Sequence, residues 1–79
     1  MKKVSEVSSY NRAVGKNIKA ARERAGLFQR QVADMLKVDR TTYVRYEMGS
    51  LEMGYVRLRN FSKITRTSID KLLEVVDEH

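Results

Sequence analysis

Residues 29–47 read QRQVADMLKVDRTTYVRYE, Gln29 to Glu47, and their spacing decides the fold. Val32, Ala33 and Leu36 share one face of a helix running from Gln29 to Leu36. Asp39 is a helix-capping residue and opens another helix, which continues to about Glu47 and is closed by Gly49. Only Lys37-Val38-Asp39 separates the two, which forces a sharp angle between them instead of an antiparallel hairpin. Ala33 lies where the helices would touch, and its small side chain permits close approach. Val38 can bury in the turn. On the later helix Tyr43 and Tyr46, three residues apart, take the inward face and leave Arg40, Thr41, Val44 and Arg45 facing outward.

Apolar periodicity extends helices to both sides. Tyr10, Val14, Ile18, Ala21 and Ala25 predict a helix over about 10–25, with Ser8 and Ser9 as caps and Gly26 as a left-handed stop. Tyr55, Val56, Leu58, Phe61 and Ile64 predict a fourth helix over about 54–65, and Ser68 caps a fifth that carries Ile69, Leu72, Leu73 and Val76. No proline interrupts these patterns and no strand alternation competes with them. The expected fold is all-α, a compact five-helix bundle, with a flexible N-terminal arm at 1–8 and one domain over 9–77. A chain of 79 residues supports one core, and without cysteine it gains nothing from disulfides or thiolate metal sites. Met35, Met48 and Met53 are expected as fillers and loop contacts instead of a hydrophobic groove.

The charge is uneven. Sixteen Lys and Arg against ten Asp and Glu give a net +6. Residues 11–25 carry Arg12, Lys16, Lys19, Arg22 and Arg24 against Glu23 alone, and 55–66 carry Arg57, Arg59, Lys63 and Arg66 against no acid. After Arg66 the balance reverses, with Asp70, Glu74, Asp77 and Glu78 against Lys71. A basic body with an acidic tail suits a polyanionic partner whose footprint excludes the C-terminus. By charge alone, a solvated surface that keeps a small protein soluble explains the pattern equally well.

The sharp turn and the outward Arg/Thr face make a helix-turn-helix, and the DNA major groove admits one helix of this width. The stretch VGKNIKAARERAGLFQRQVADMLKVDRTTYVRYEMG, residues 14–49, resembles the Cro and phage-repressor class of helix-turn-helix proteins, also called the xenobiotic-response-element class. Gly15, Arg22, Gly26-Leu27, Gln29, Ala33, Leu36, Val38, Arg40, Thr42, Tyr46-Glu47 and Gly49 carry the resemblance. It implies a lambda-repressor-like domain of five helices that binds double-stranded operator DNA, commonly as a homodimer. By the same resemblance, Arg40, Thr41 and Arg45 read base edges, and Val44, at a position that is commonly polar in the family, is expected to make an apolar base contact, as with a thymine methyl. Gln29 approaches the DNA backbone or braces a base-reading side chain, Thr42 contacts backbone or base, and Arg22 pairs with Glu47 between the first and third helices.

Three further places depart from the family pattern. Phe28 stands at a usual Ser or Thr cap, so a phosphate contact is lost and the second helix is expected to start poorly. Lys37 stands at the usual turn glycine, where a left-handed backbone costs about 1 kcal/mol. The loop GSLEMG carries Glu52 where basic residues often meet phosphate, which moves the backbone role to Lys37, Lys16 and Lys19, with Arg57 or Arg59 in addition.

Catalysis has no candidate residues, and neither a cofactor nor a metal is expected, His79 being the only histidine and terminal. No apolar run approaches the roughly 20 residues needed to span a bilayer, which leaves a cytoplasmic location as the expectation. The leading function is a sequence-specific DNA-binding transcriptional regulator, a repressor acting by operator occupancy. The alternative is a protein-interaction module, such as an antitoxin, that uses Leu72, Val75 and Val76 to hold a toxin or an anti-repressor.

Overall fold

A computed structural model describes residues 4–75. Five helices follow in order: α1 Val4–Arg24, α2 Gln29–Leu36, α3 Arg40–Met48, α4 Tyr55–Thr65 and α5 Ile69–Leu72. Among the described residues there is no strand.

The three central helices fall within a residue of their sequence-based bounds because their ends are chemically marked. Asp39 accepts a hydrogen bond from the Thr42 N–H at 2.7 Å and so caps α3, while Gly49, at φ +79°, stops it. Gly54 is the N-cap residue of α4. α1 begins at Val4 instead of near residue 10, with Ser8 and Ser9 inside the helix. Serine costs only about half a kcal/mol in a helix interior, and neither Gly nor Pro breaks the run from Val4 to Val14. Of the arm expected over 1–8, residues 1–3 lie outside the described residues and 4–8 continue α1. α5 is a single turn, capped by Ser68 as expected; Leu73, expected inside the helix, is instead its C-cap, and Val76 lies outside the described residues.

Ile18, Ala21, Val32, Ala33, Leu36, Tyr43, Tyr46, Leu58, Phe61 and Leu72 form one buried core, to which Met53 adds. Val38 packs against it from the turn. The Tyr43 and Tyr46 rings meet edge to face at 6.2 Å, and Tyr43 tilts onto Phe61 at 6.4 Å. These aromatics are core members and fix the rotation of α3. Gly15 lets α1 approach α3 closely, since a Cβ there would sit 2.4 Å from the Glu47 carbonyl oxygen. Gly49 does the same at the end of α3, where a Cβ would meet Arg12 Cα at 2.6 Å. Asn17 Nδ2 donates to the Leu72 and Glu74 carbonyls at 2.9 and 2.7 Å, tying the α5 turn to α1. Met35 and Met48 are exposed, contrary to a role as fillers; of the three, Met53 alone is buried.

Candidate nucleic-acid interface

Asp39, Lys37 and Glu47 together determine what α3 presents. Lys37 caps α2 in the left-handed region, at φ 63° and ψ 41°, and its N–H bonds the Asp34 carbonyl at 3.1 Å. That conformation turns the chain sharply enough for Asp39 to cap α3 two residues later. The Thr42 side chain and its N–H, the latter bonded to Asp39 Oδ1, hold the Asp39 carboxyl below its ordinary value.

Behind α3 sits a buried charge. Arg22 Nε donates to Glu47 Oε2 at 2.5 Å and Arg22 Nη2 to Oε1 at 3.3 Å, while Arg22 Nη1 reaches the Leu27 carbonyl at 2.9 Å. The Tyr43 hydroxyl donates to Oε2 at 2.5 Å, and Gln29 Nε2 donates to Oε1 at 3.0 Å. Burial pushes the Glu47 carboxyl up, but the bonds from Arg22, Tyr43 and Gln29 outweigh it and hold the group below its ordinary value. The Arg22 guanidinium is raised in turn, chiefly by its bond to Glu47. Burial and the bond to Glu47 push the Tyr43 phenol far up, so it acts as a fixed donor. Every lone-pair region of a buried carboxylate is thus engaged, the condition under which such a charge is tolerated. The expected pairing of Arg22 with Glu47 is present, as a network of four side chains.

The network reaches the surface through one residue. Gln29 Oε1 accepts from Arg40 Nη2 at 3.3 Å. Gln29 therefore braces Arg40, the first residue of α3, from the start of α2. Arg40, Thr41 and Arg45 are exposed, and Val44 and Thr42 are half-buried. With Met48, which is 62% exposed, Arg40, Thr41, Val44 and Arg45 lie at helical spacing on one outward stripe of α3.

Beside that stripe opens a cleft of about 670 Å³ lined by Lys19, Arg22, Phe28, Gln29, Arg30, Gln31 and Arg40. Lys19, Gln29 and Arg40 are brought together there. Lys16 and Lys37 are exposed but do not line it, and neither do Arg57 and Arg59 on α4. Phe28 offers no side-chain acceptor to the first turn of α2, but Gln31 Oε1 accepts from the Phe28 N–H at 2.7 Å, so the helix start is held despite the missing cap. Arg30 escaped the sequence reading. Its signal was available: a cation in the first turn of a helix whose N–H groups lack a cap suits an anion at that end. Among the described residues, no helix is long and apolar enough to cross a membrane.

Comparison with known proteins agrees with this geometry. The helix-turn-helix family profile matches residues 18–72, which contain all of α2, α3, α4 and α5. The chain is 41% identical over 58 residues to a Bacillus subtilis (strain 168) protein named as an uncharacterized HTH-type transcriptional regulator, YqaE. That match covers 73% of this chain and 50% of the relative, so the chain spans about half the length of the curated relative it matches. A bent α2–α3 pair, a locked inner face and a family profile spanning both helices agree, and the chain belongs to the helix-turn-helix family, in the Cro and phage-repressor class that its sequence resembles.

Proposed function

We propose that this chain is a sequence-specific double-stranded DNA-binding regulator of transcription, a repressor that acts by occupying its operator as a homodimer. One observation carries the reading: α3 is locked inward by Tyr43, Tyr46 and Glu47 while Arg40, braced by Gln29, stands outward beside Thr41, Val44 and Arg45. Arg donates to guanine O6 and N7 together, Thr supplies a hydroxyl and a methyl, and Val44 suits a thymine methyl. Lys16, Lys19, Lys37 and Thr42 take the phosphate backbone, which positions the helix without reading sequence. The relative's name, a transcriptional regulator, supports the same assignment.

Selection of bound sites from random duplex DNA tests this reading. The expected product is a pseudo-palindrome with half-sites about 34 Å apart. Failure to enrich any sequence over heparin competition refutes DNA recognition, and an asymmetric single element refutes the homodimer.

A second reading, a module for a partner protein, has one observation in its favour. Tyr10, Tyr55 and Leu73 are exposed around a groove of about 200 Å³ between α1, the α3–α4 loop and the chain after α5. Leu72 cannot serve that role as expected, because it is fully buried in the chain's own core. Val75 is half-buried.

A further inference from the structure

Phe28 is 75% exposed, yet it stands in the cleft with Lys19, Gln29, Arg30 and Arg40. The folded chain does not use the ring: it is outside the core, and it cannot cap α2. Its backbone is nevertheless held firmly. The Phe28 N–H bonds Gln31 Oε1 at 2.7 Å, and its carbonyl accepts from the Val32 N–H at 3.2 Å. The preceding residue, Leu27, packs on the core, and its N–H and carbonyl bond the Arg22 carbonyl and side chain at 3.2 and 2.9 Å. A large apolar surface is thus presented on a rigid support among cations.

We propose that Phe28 packs against the deoxyribose of the DNA backbone at the edge of each half-site, an apolar contact set inside an otherwise ionic grip. The inference rests on the DNA-binding reading above. Cations and free helix N–H groups suit phosphates, and between successive phosphates a duplex backbone exposes the apolar faces of its sugars. A ring one residue before Gln29 belongs to the backbone edge of the interface, since Gln29 stands behind Arg40, holding it and Glu47, and on the proposed reading the outward stripe of α3 faces the bases. The contact adds affinity that depends neither on sequence nor on salt, because burying a phenyl ring releases no counterion.

The test compares wild type with Phe28→Ala and Phe28→Leu on a labelled random-sequence duplex and on the selected operator, over a series of salt concentrations, with melting temperatures alongside. The ring makes no contact that the free fold needs, so melting is expected unchanged for Phe28→Ala. Its affinity is expected to fall about tenfold per half-site on both duplexes, with the slope of log affinity against log salt unchanged. Phe28→Leu restores most of the loss. Equal affinity of Phe28→Ala and wild type overturns the assignment, and so does a loss confined to the operator, which means a base contact instead. Wild type that binds neither duplex overturns the DNA-binding reading itself, so the two failures are distinguishable.

Discussion

Gln29 Nε2 donates to Glu47 Oε1 at 3.0 Å, and this bond determines where Arg40 points. A carboxylate has no proton to give, so the Gln29 amide must turn its nitrogen inward and its oxygen outward, where it meets Arg40 Nη2 at 3.3 Å. A buried structural charge thereby orients an exposed side chain. Gln29→Leu removes both bonds while keeping similar bulk. Its preference for operator over random duplex is expected to fall several-fold, at a stability cost of about 1.5 kcal/mol, chiefly for the lost bond to the charged Glu47 carboxylate. Titration of both duplexes and a urea melt check this; undiminished preference refutes the bracing role.

Glu47→Gln leaves Arg22 in place with its charged partner gone. Arg22 is buried, so the expected loss is about 3–5 kcal/mol of folding stability, measured by urea denaturation at neutral pH. An unchanged midpoint would show that the pair contributes nothing net.

Tyr43→Phe removes one charge-assisted donor to the same carboxylate and keeps the ring that packs on Tyr46 and Phe61. A loss of about 1.5–3 kcal/mol is expected, smaller than for Glu47→Gln because Arg22 and Gln29 still hold Glu47. Equal losses for the two variants would mean that Tyr43, not Arg22, dominates the network.

Acid should remove what Glu47 contributes. Its folded-state carboxyl lies below the ordinary value of 4.5, so the folded chain binds that proton less readily than the unfolded chain. The contribution is fully present above about pH 4.5 and is lost as pH falls through the lower folded value. The stability gap between wild type and Glu47→Gln is therefore expected to narrow below pH 4.5. Denaturation curves over a pH series test the sign, and a gap that widens in acid contradicts it.

The sequence made α2, α3 and the angle between them legible because local chemistry marks both ends: three residues of turn, Asp39 as cap, Gly49 as stop. It also placed Arg22 opposite Glu47, though only through family resemblance. The start of α1 was hidden because Ser8 and Ser9 look like caps, and whether a serine caps or merely continues a helix depends on what precedes it. The exposure of Met35, Met48, Tyr55 and Val56 was hidden for another reason. Periodicity ranks faces of a helix, but only packing decides which apolar residues the core has room for. Gln29 holding both Glu47 and Arg40 is a tertiary fact, since its partners lie 18 and 11 residues away.

On the proposed reading Lys37 meets phosphate while Arg40 and Arg45 read bases, and three variants separate these parts of the interface. At φ 63° Lys37 occupies a backbone region that favours glycine, so Lys37→Gly is expected to stabilise the fold by about 1 kcal/mol. The same change removes a cation beside the reading helix. Affinity for operator and random duplex should then fall alike, and the salt slope should drop by about one unit per half-site, because a phosphate contact releases a counterion and carries no sequence information. Arg40→Ala and Arg45→Ala should behave in the opposite way. Each is expected to cost about 1–3 kcal/mol per half-site on the operator and little on random duplex. Affinities for both duplexes at several salt concentrations, with a melt for each variant, give all of these quantities in one series. If the arginine variants weaken both duplexes equally, α3 grips the backbone and does not read bases. If Lys37→Gly is more stable and binds as well as wild type, the turn lysine is a tolerated strain with no part in the interface.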